Sequence, residues 1–355
     1  MIIGRAGLGL AALVGAVVMV VSASPAAADP PRPSDFRSTV TGIDPEAADV
    51  RAEIVGGDSF LELSVDRGHE VIVQGYGHEP YLRFREDGTV ERNRLSTATY
   101  LNRDRRGRVT PPPEADDTAD PEWEEVASGG TYAWHDHRIH WMGGEPPAGS
   151  GPGDVVLDWT VRLDLDGVPT AVRGTLVRAE DVSPLPWHVV GAAALAVAVL
   201  AGRRRPLLAA GLAALVAATG AAAVGWAEYS VAPAGSGANP LLVLVPAVGV
   251  GTAAVGLGLR RRMPGPVALL ASAAATLGWG LLRASVLWTP VLPTDAPFWL
   301  DRAVTAMALG LAGAAAGLVV WSGALVLGPR PPVPVPGHGP DATRAAATDG
   351  GGEPR

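Results

Sequence analysis

The sequence predicts an all-β exported domain, a sandwich or Greek-key fold of Ig- or cupredoxin-like type, followed by an α-helical membrane bundle. Three observations carry this. The N-terminus has the three-part pattern of a secretory signal. Residues 50–184 alternate apolar and polar side chains at strand period. Five apolar segments follow with almost no charge.

In Met1–Ala28, Arg5 supplies a charged start, Ala6–Val21 an apolar stretch, and Ala26-Ala27-Ala28 a small-residue cleavage site after the helix-breaking Pro25. Removal of residues 1–28 and export of the remainder are expected. Residues 29–49 are read as a linker.

Composition divides the chain. Residues 29–185 hold 30 of the 36 acidic residues and 16 of the 28 basic ones, a net charge near −14. That balance argues against nucleic acid, which needs a clustered basic face. There is no Cys, which excludes disulfides, Fe–S clusters and thiolate chemistry. Every basic residue among the 28 is Arg, so lysine-dependent chemistry is also absent.

Within the exported domain, Phe60–Val65 places Leu61, Leu63 and Val65 on one face, and Val71–Val73 follows a turn at Asp66-Arg67-Gly68. Asp158–Leu165 alternates cleanly, and Asp166-Gly167 turns it into Ala171–Arg178, a predicted hairpin. Seven to nine short strands are expected, with an irregular stretch over 91–130. In Gly75–Phe84, Glu79 is placed to pair with Arg83 or Arg138.

The candidate site is Tyr132-Ala133-Trp134-His135-Asp136-His137-Arg138-Ile139-His140-Trp141-Met142, which holds three of the seven histidines. Imidazole is the commonest metal ligand, and His with Met suits copper or zinc. His135 and His137 share one face of a strand. His140 has the other parity and needs a bulge or a turn to join them. His135, His137 and His140 are the candidate ligands, with Met142 and His78 as weaker candidates and His69 as a further neighbour. Asp136 or Glu145 is placed as the acceptor that fixes an imidazole tautomer. A purely architectural network of Trp, His, Asp and Arg is the competing reading. No G-x-S-x-G, H-E-x-x-H or phosphate-cradling motif occurs, so no catalytic residue is assigned and motif content argues against an enzyme.

The five apolar segments are 185–202, 206–226, 240–259, 264–282 and 303–327, each near the ~20 residues that cross a bilayer. Arg203–Arg205 and Arg260–Arg262 occupy alternate loops, so the positive-inside rule puts them and the C-terminus in the cytoplasm and the N-terminal domain outside. Glu228, Arg283, Asp301 and Arg302 fall at the outer ends, paired or solvated, leaving the interiors uncharged. The small-residue run Gly310–Gly317 suits close helix packing. These features favour an anchor or coupling unit over a pump. Residues 328–355, rich in Pro and Gly, are expected to be a disordered tail.

The motifs "GYGHEPYLRF", "NRLSTATYLNRD" and "YAWHDHRIHWM", together with the trailing helices, resemble an uncharacterised group of actinobacterial exported membrane proteins. The resemblance implies a shared fold and topology and brings no activity with it. The expectation is a multi-pass envelope protein that senses or binds a ligand, with a copper or zinc ion at the His cluster. The alternative is an outer domain that docks an envelope protein partner, and a transporter component stands third.

Overall fold

The computed structural model describes residues 29–325. The signal segment and the tail lie outside the described residues. The described residues form ten strands and then a set of helices. The strands are β1 (Phe36–Asp44), β2 (Val50–Val55), β3 (Phe60–Val65), β4 (Val71–Gln74), β5 (Pro80–Phe84), β6 (Val90–Asn93), β7 (Trp123–Ala127), β8 (Thr131–Trp134), β9 (Val155–Leu165) and β10 (Val168–Arg178). A single helical turn, α1 (Ala98–Leu101), sits between β6 and β7.

Two antiparallel sheets result. One has seven strands in the order β1-β10-β9-β4-β5-β6-β7, and the other has three, β2-β3-β8. Leu61, Leu63 and Val65 of the small sheet and Val73, Leu82, Phe84, Val161 and Leu163 of the large one are buried in a single core. Alternation therefore marked the inward faces correctly in both sheets. The β9–β10 hairpin forms as expected, with positive φ at Asp166 (51°) and Gly167 (82°), the geometry a two-residue turn of this hand requires.

Residues 36–44 correct the linker reading. They form β1, which pairs with β10 along the edge of the large sheet. Its alternation is hidden because only Phe36 and Ser38 turn fully inward; the rest of this edge strand is exposed or half-buried. Glu79 also departs from expectation. It is buried and accepts hydrogen bonds from Ser96 Oγ (2.5 Å) and the Gly77 amide (2.9 Å) instead of an arginine. Arg83 pairs with Glu91, and Arg138 with Asp136.

Among the described residues, five helices are long and apolar enough to cross a bilayer, which fits a multi-pass membrane protein. They are α2 (Leu185–Gly202), α3 (Pro206–Tyr229), α4 (Leu241–Gly258), α5 (Pro264–Leu282) and α6 (Phe298–Trp321). Large apolar side chains point outward from them, including Val197 (65% exposed) and Val216 (59%), as helices in lipid require. α2 and α6 approach closely through glycine. A Cβ at Gly310 would lie 2.1 Å from the Gly191 carbonyl oxygen, so only Gly allows this crossing.

α6 begins five residues before the expected position, so Asp301 lies in its first turn and Arg302 just after it, both buried. Neither is solvated. Arg283 bridges Asp301 on α6 and Glu228 on α3, and donates to Thr305 Oγ1 at 3.0 Å. Arg302 donates to the carbonyls of Val286, Thr289 and Pro290 in the α5–α6 connection. Partners for every charge explain how the helix extends through them.

This charged end of the bundle faces the β domain. Ser34 and Val291 exchange backbone hydrogen bonds of 2.9 and 3.0 Å, a two-residue bridge between the start of the domain and the α5–α6 connection. Gly57, in the β2–β3 turn, packs against the Val291 side chain.

Candidate metal centre

β8 ends at Trp134, the last residue to pair with β3. His135 follows directly, anchored by the strand before it. The chain then turns. The Ile139 amide bonds back to the Asp136 carbonyl (3.3 Å), and Ile139 is fully buried. The turn removes the parity conflict between His140 and the other two residues, because none of the three lies on a strand. One ring nitrogen from each of His135, His137 and His140 lies within 4.8 Å of the others.

Each ring is fixed from outside by a backbone carbonyl. His135 Nδ1 bonds to the Ser59 oxygen at 2.5 Å, His137 Nε2 to the Asp104 oxygen at 2.8 Å, and His140 Nδ1 to the Trp141 oxygen at 3.2 Å. A carbonyl only accepts, so each of these nitrogens carries the proton. The neutral ring then has a lone pair on its other nitrogen: Nε2 of His135, Nδ1 of His137 and Nε2 of His140. The Nε2 atoms of His135 and His140 are buried without a hydrogen-bond partner among the described residues. Buried polar atoms are rarely left that way without a reason.

The electrostatics keep those lone pairs free. Burial pushes the His135 pKa down to about 4, reinforced by the positive charge of Arg105 and by His137 and opposed by the Ser59 hydrogen bond and the Asp136 charge. Burial, then Arg105 and His135, push His140 down to about 2. Both rings are neutral at pH 7, the state in which imidazole ligates metal. Arg105 is held in place by Asp58, a fully buried carboxylate that also accepts from Ser34 Oγ.

Packing holds the rings in a compact group. His135 and His140 stack with centroids 4.7 Å apart, and His137 meets them edge-on at 5.8 and 5.7 Å. Tyr76 stacks on His137 (5.7 Å), and its hydroxyl accepts from the His137 amide. A tetrahedral ion with bonds near 2.1 Å needs nitrogens about 3.4 Å apart. The three nitrogens here, within 4.8 Å of one another, are close enough for one ion to gather. Gly107, at φ +61°, keeps one side open: a Cβ there would lie 3.0 Å from His137 Cε1 and 3.7 Å from the Met142 methyl. Met142 is thus beside His137, 40% exposed.

His78 and His69 lie outside the group. His78 sits on an exposed turn beside Arg162, 3.3 Å from its guanidinium. His69 bonds to Asp166 at 2.7 Å. Asp136 does not orient an imidazole either. It is fully buried and accepts from Trp134 Nε1 (2.9 Å) and from the Arg138 guanidinium (2.6 and 2.8 Å). Burial alone would raise its pKa, but the charge and hydrogen bonds of Arg138 outweigh that and hold the carboxyl at about 2. Glu145 is exposed, and it is its backbone carbonyl that takes the Trp141 indole N–H. The ring-orienting groups are instead the carbonyls of Ser59, Asp104 and Trp141, which carry no side-chain signature in a sequence.

No protein-family model, curated protein or solved structure matches the chain. The chemistry of the site is therefore argued from its geometry. Three imidazoles, no thiolate and no carboxylate make a set suited to a late first-row divalent ion. Backbone acceptors on the outer nitrogens are the arrangement that metal-bound histidines normally have.

Proposed function

We propose that this is a membrane-anchored extracytoplasmic binding or sensing protein that holds one copper(II) or zinc ion through His135, His137 and His140. The observation that carries the reading is a ring nitrogen of each histidine within 4.8 Å of the others, combined with one nitrogen of every ring held on a backbone carbonyl. Three protein ligands leave a fourth position for water, a small ligand or the Met142 thioether, the pattern of an exchangeable site rather than a closed structural one.

Topology supports the location. Arg205 and Arg260–Arg262 line one cavity at the end of the bundle away from the β domain. The positive-inside rule then assigns that end to the cytoplasm and the β domain to the other side. The buried ionic cluster lies at the end of the bundle and not at its middle, which favours an anchor over a pump. The two sheets around one core are compatible with a sandwich of Ig- or cupredoxin-like type.

The test is a competitive titration of metal-stripped, full-length protein in detergent with Cu²⁺ and Zn²⁺. One ion per chain is expected, and His135→Ala with His137→Ala abolishes it. No binding above that of the double variant overturns the reading. A scaffold or partner-docking role without metal is the second reading, favoured by the Ser34–Val291 bridge that ties the domain to the bundle. It predicts that the same substitutions lower thermal stability equally with and without added metal.

A further inference from the structure

The two arginine triplets are far apart in sequence, yet Arg205 and Arg260–Arg262 converge on a single cavity of about 850 Å³. Among the described residues no carboxylate lines it. Its other walls are mainly apolar, including Leu207, Leu208 and Met263. Arg260 is oriented by a 2.7 Å hydrogen bond to the Leu257 carbonyl, while Arg261 and Arg262 are exposed. Guanidinium groups gathered in this way match phosphate, which each can hold through two parallel hydrogen bonds.

A second groove of about 390 Å³ begins where the first ends. The two share Arg205 and Leu208. From there it runs along α2 and α3 past Ala201, Leu212 and Val216 to Leu311 of α6, with Arg204 at its rim. Leu212 is 49% exposed and Val216 59%, on surfaces that face outward from the bundle. The slot is apolar along its length and cationic at its mouth.

We propose that these joined grooves bind an anionic glycerophospholipid, with its phosphate among Arg205 and Arg260–Arg262 and one acyl chain between α2 and α3. Free phosphate would satisfy only the cationic cavity, and a neutral alkyl chain only the slot. A lipid with an anionic head satisfies both, and each arginine near such a headgroup strengthens binding by about fivefold, or ~1 kcal/mol.

The test uses full-length protein in a non-ionic detergent, probed by native mass spectrometry and thermal denaturation. The probes are phosphatidylglycerol, phosphatidylcholine with the same acyl chains, and inorganic phosphate. Phosphatidylglycerol is expected to remain bound and raise the melting temperature, with at least about fivefold preference over phosphatidylcholine. Inorganic phosphate alone is expected to give no shift. The Arg205→Ala and Arg261→Ala double variant should lose the preference while keeping phosphatidylcholine binding, and Ala201→Phe, which fills the slot, should weaken both lipids. Equal binding of the two lipids, an equal shift with inorganic phosphate, or a double variant that keeps its preference overturns the proposal. If a variant fails to fold, the comparison of lipids on the unaltered protein decides.

Discussion

His135 and Ser59 are 76 residues apart in sequence, yet the His135 Nδ1–H donates to the Ser59 carbonyl oxygen at 2.5 Å. This contact fixes which nitrogen of the ring carries its proton, and so which one keeps its lone pair. The same logic puts the proton on Nδ1 of His140 and on Nε2 of His137. In metal-free protein at pH 7.5, long-range ¹H–¹⁵N correlation spectra should therefore report Nδ1–H tautomers for His135 and His140 and an Nε2–H tautomer for His137. Added Zn²⁺ should shift the unprotonated nitrogen of each ring. An Nε2–H tautomer at His135 would remove the basis for its ligand role.

Acid should weaken the metal-free fold in a defined window. The folded pKa values of His135 and His140, about 4 and about 2, lie below the ordinary value near 6.5. Below pH 6.5 the unfolded chain takes up protons that the folded chain does not. Stability is thus fully present above pH 6.5 and declines as pH falls toward 4. His135 alone accounts for about 3 kcal/mol of that loss by pH 4, with His140 adding in the same direction. Denaturant titrations from pH 7 to 4 measure it, and a His135→Gln variant should show a shallower slope. Identical slopes would contradict the buried neutral ring.

Asp136 stands between two of the candidate ligand histidines in sequence but belongs to a separate network. Its carboxylate is committed to Trp134 and Arg138. Asp136→Asn leaves Arg138 largely buried without a counter-charge, so a loss of about 3 kcal/mol is expected. Metal affinity should change by less than about threefold, whereas loss of a group that orients a ligand costs ~10–100-fold. A large loss of affinity in correctly folded Asp136→Asn protein would restore Asp136 to the metal site.

How much of this could be read in the sequence follows from how each contact is made. Strands such as β9 were legible because Trp159, Val161 and Leu163 face the core and their neighbours face away. β1 was not, because an edge strand with only two fully buried positions has little alternation to detect. The three candidate ligand histidines were visible as a cluster. The turn that joins His140 to the others, and the carbonyls that orient the rings, were invisible, since any residue can supply a carbonyl. Ser59, Asp104 and Arg105 reach the site only through long-range folding, and the pairing of Glu228 with Arg283 likewise joins separate helices.

That last pairing makes the sharpest prediction about the bundle. Arg283 is 6% exposed and serves two carboxylates, Asp301 at 3.2 Å and Glu228, along with Thr305 Oγ1. Replacing it with Gln strands a fully buried Asp301 beside a second acidic group. Breaking a buried pair from one side costs about 3–5 kcal/mol, because the remaining charge has neither water nor partner. Glu228→Gln should cost much less, since Arg283 keeps Asp301 and the amide oxygen still accepts. The combination Arg283→Gln with Asp301→Asn should recover part of the loss, as it removes both charges. Thermal denaturation of the full chain in detergent gives the order: unaltered, Glu228→Gln, double variant, then Arg283→Gln least stable. If the double variant were no more stable than Arg283→Gln, the stranded charge would not be the cause, and the arginine would be acting through its packing on Trp279 instead.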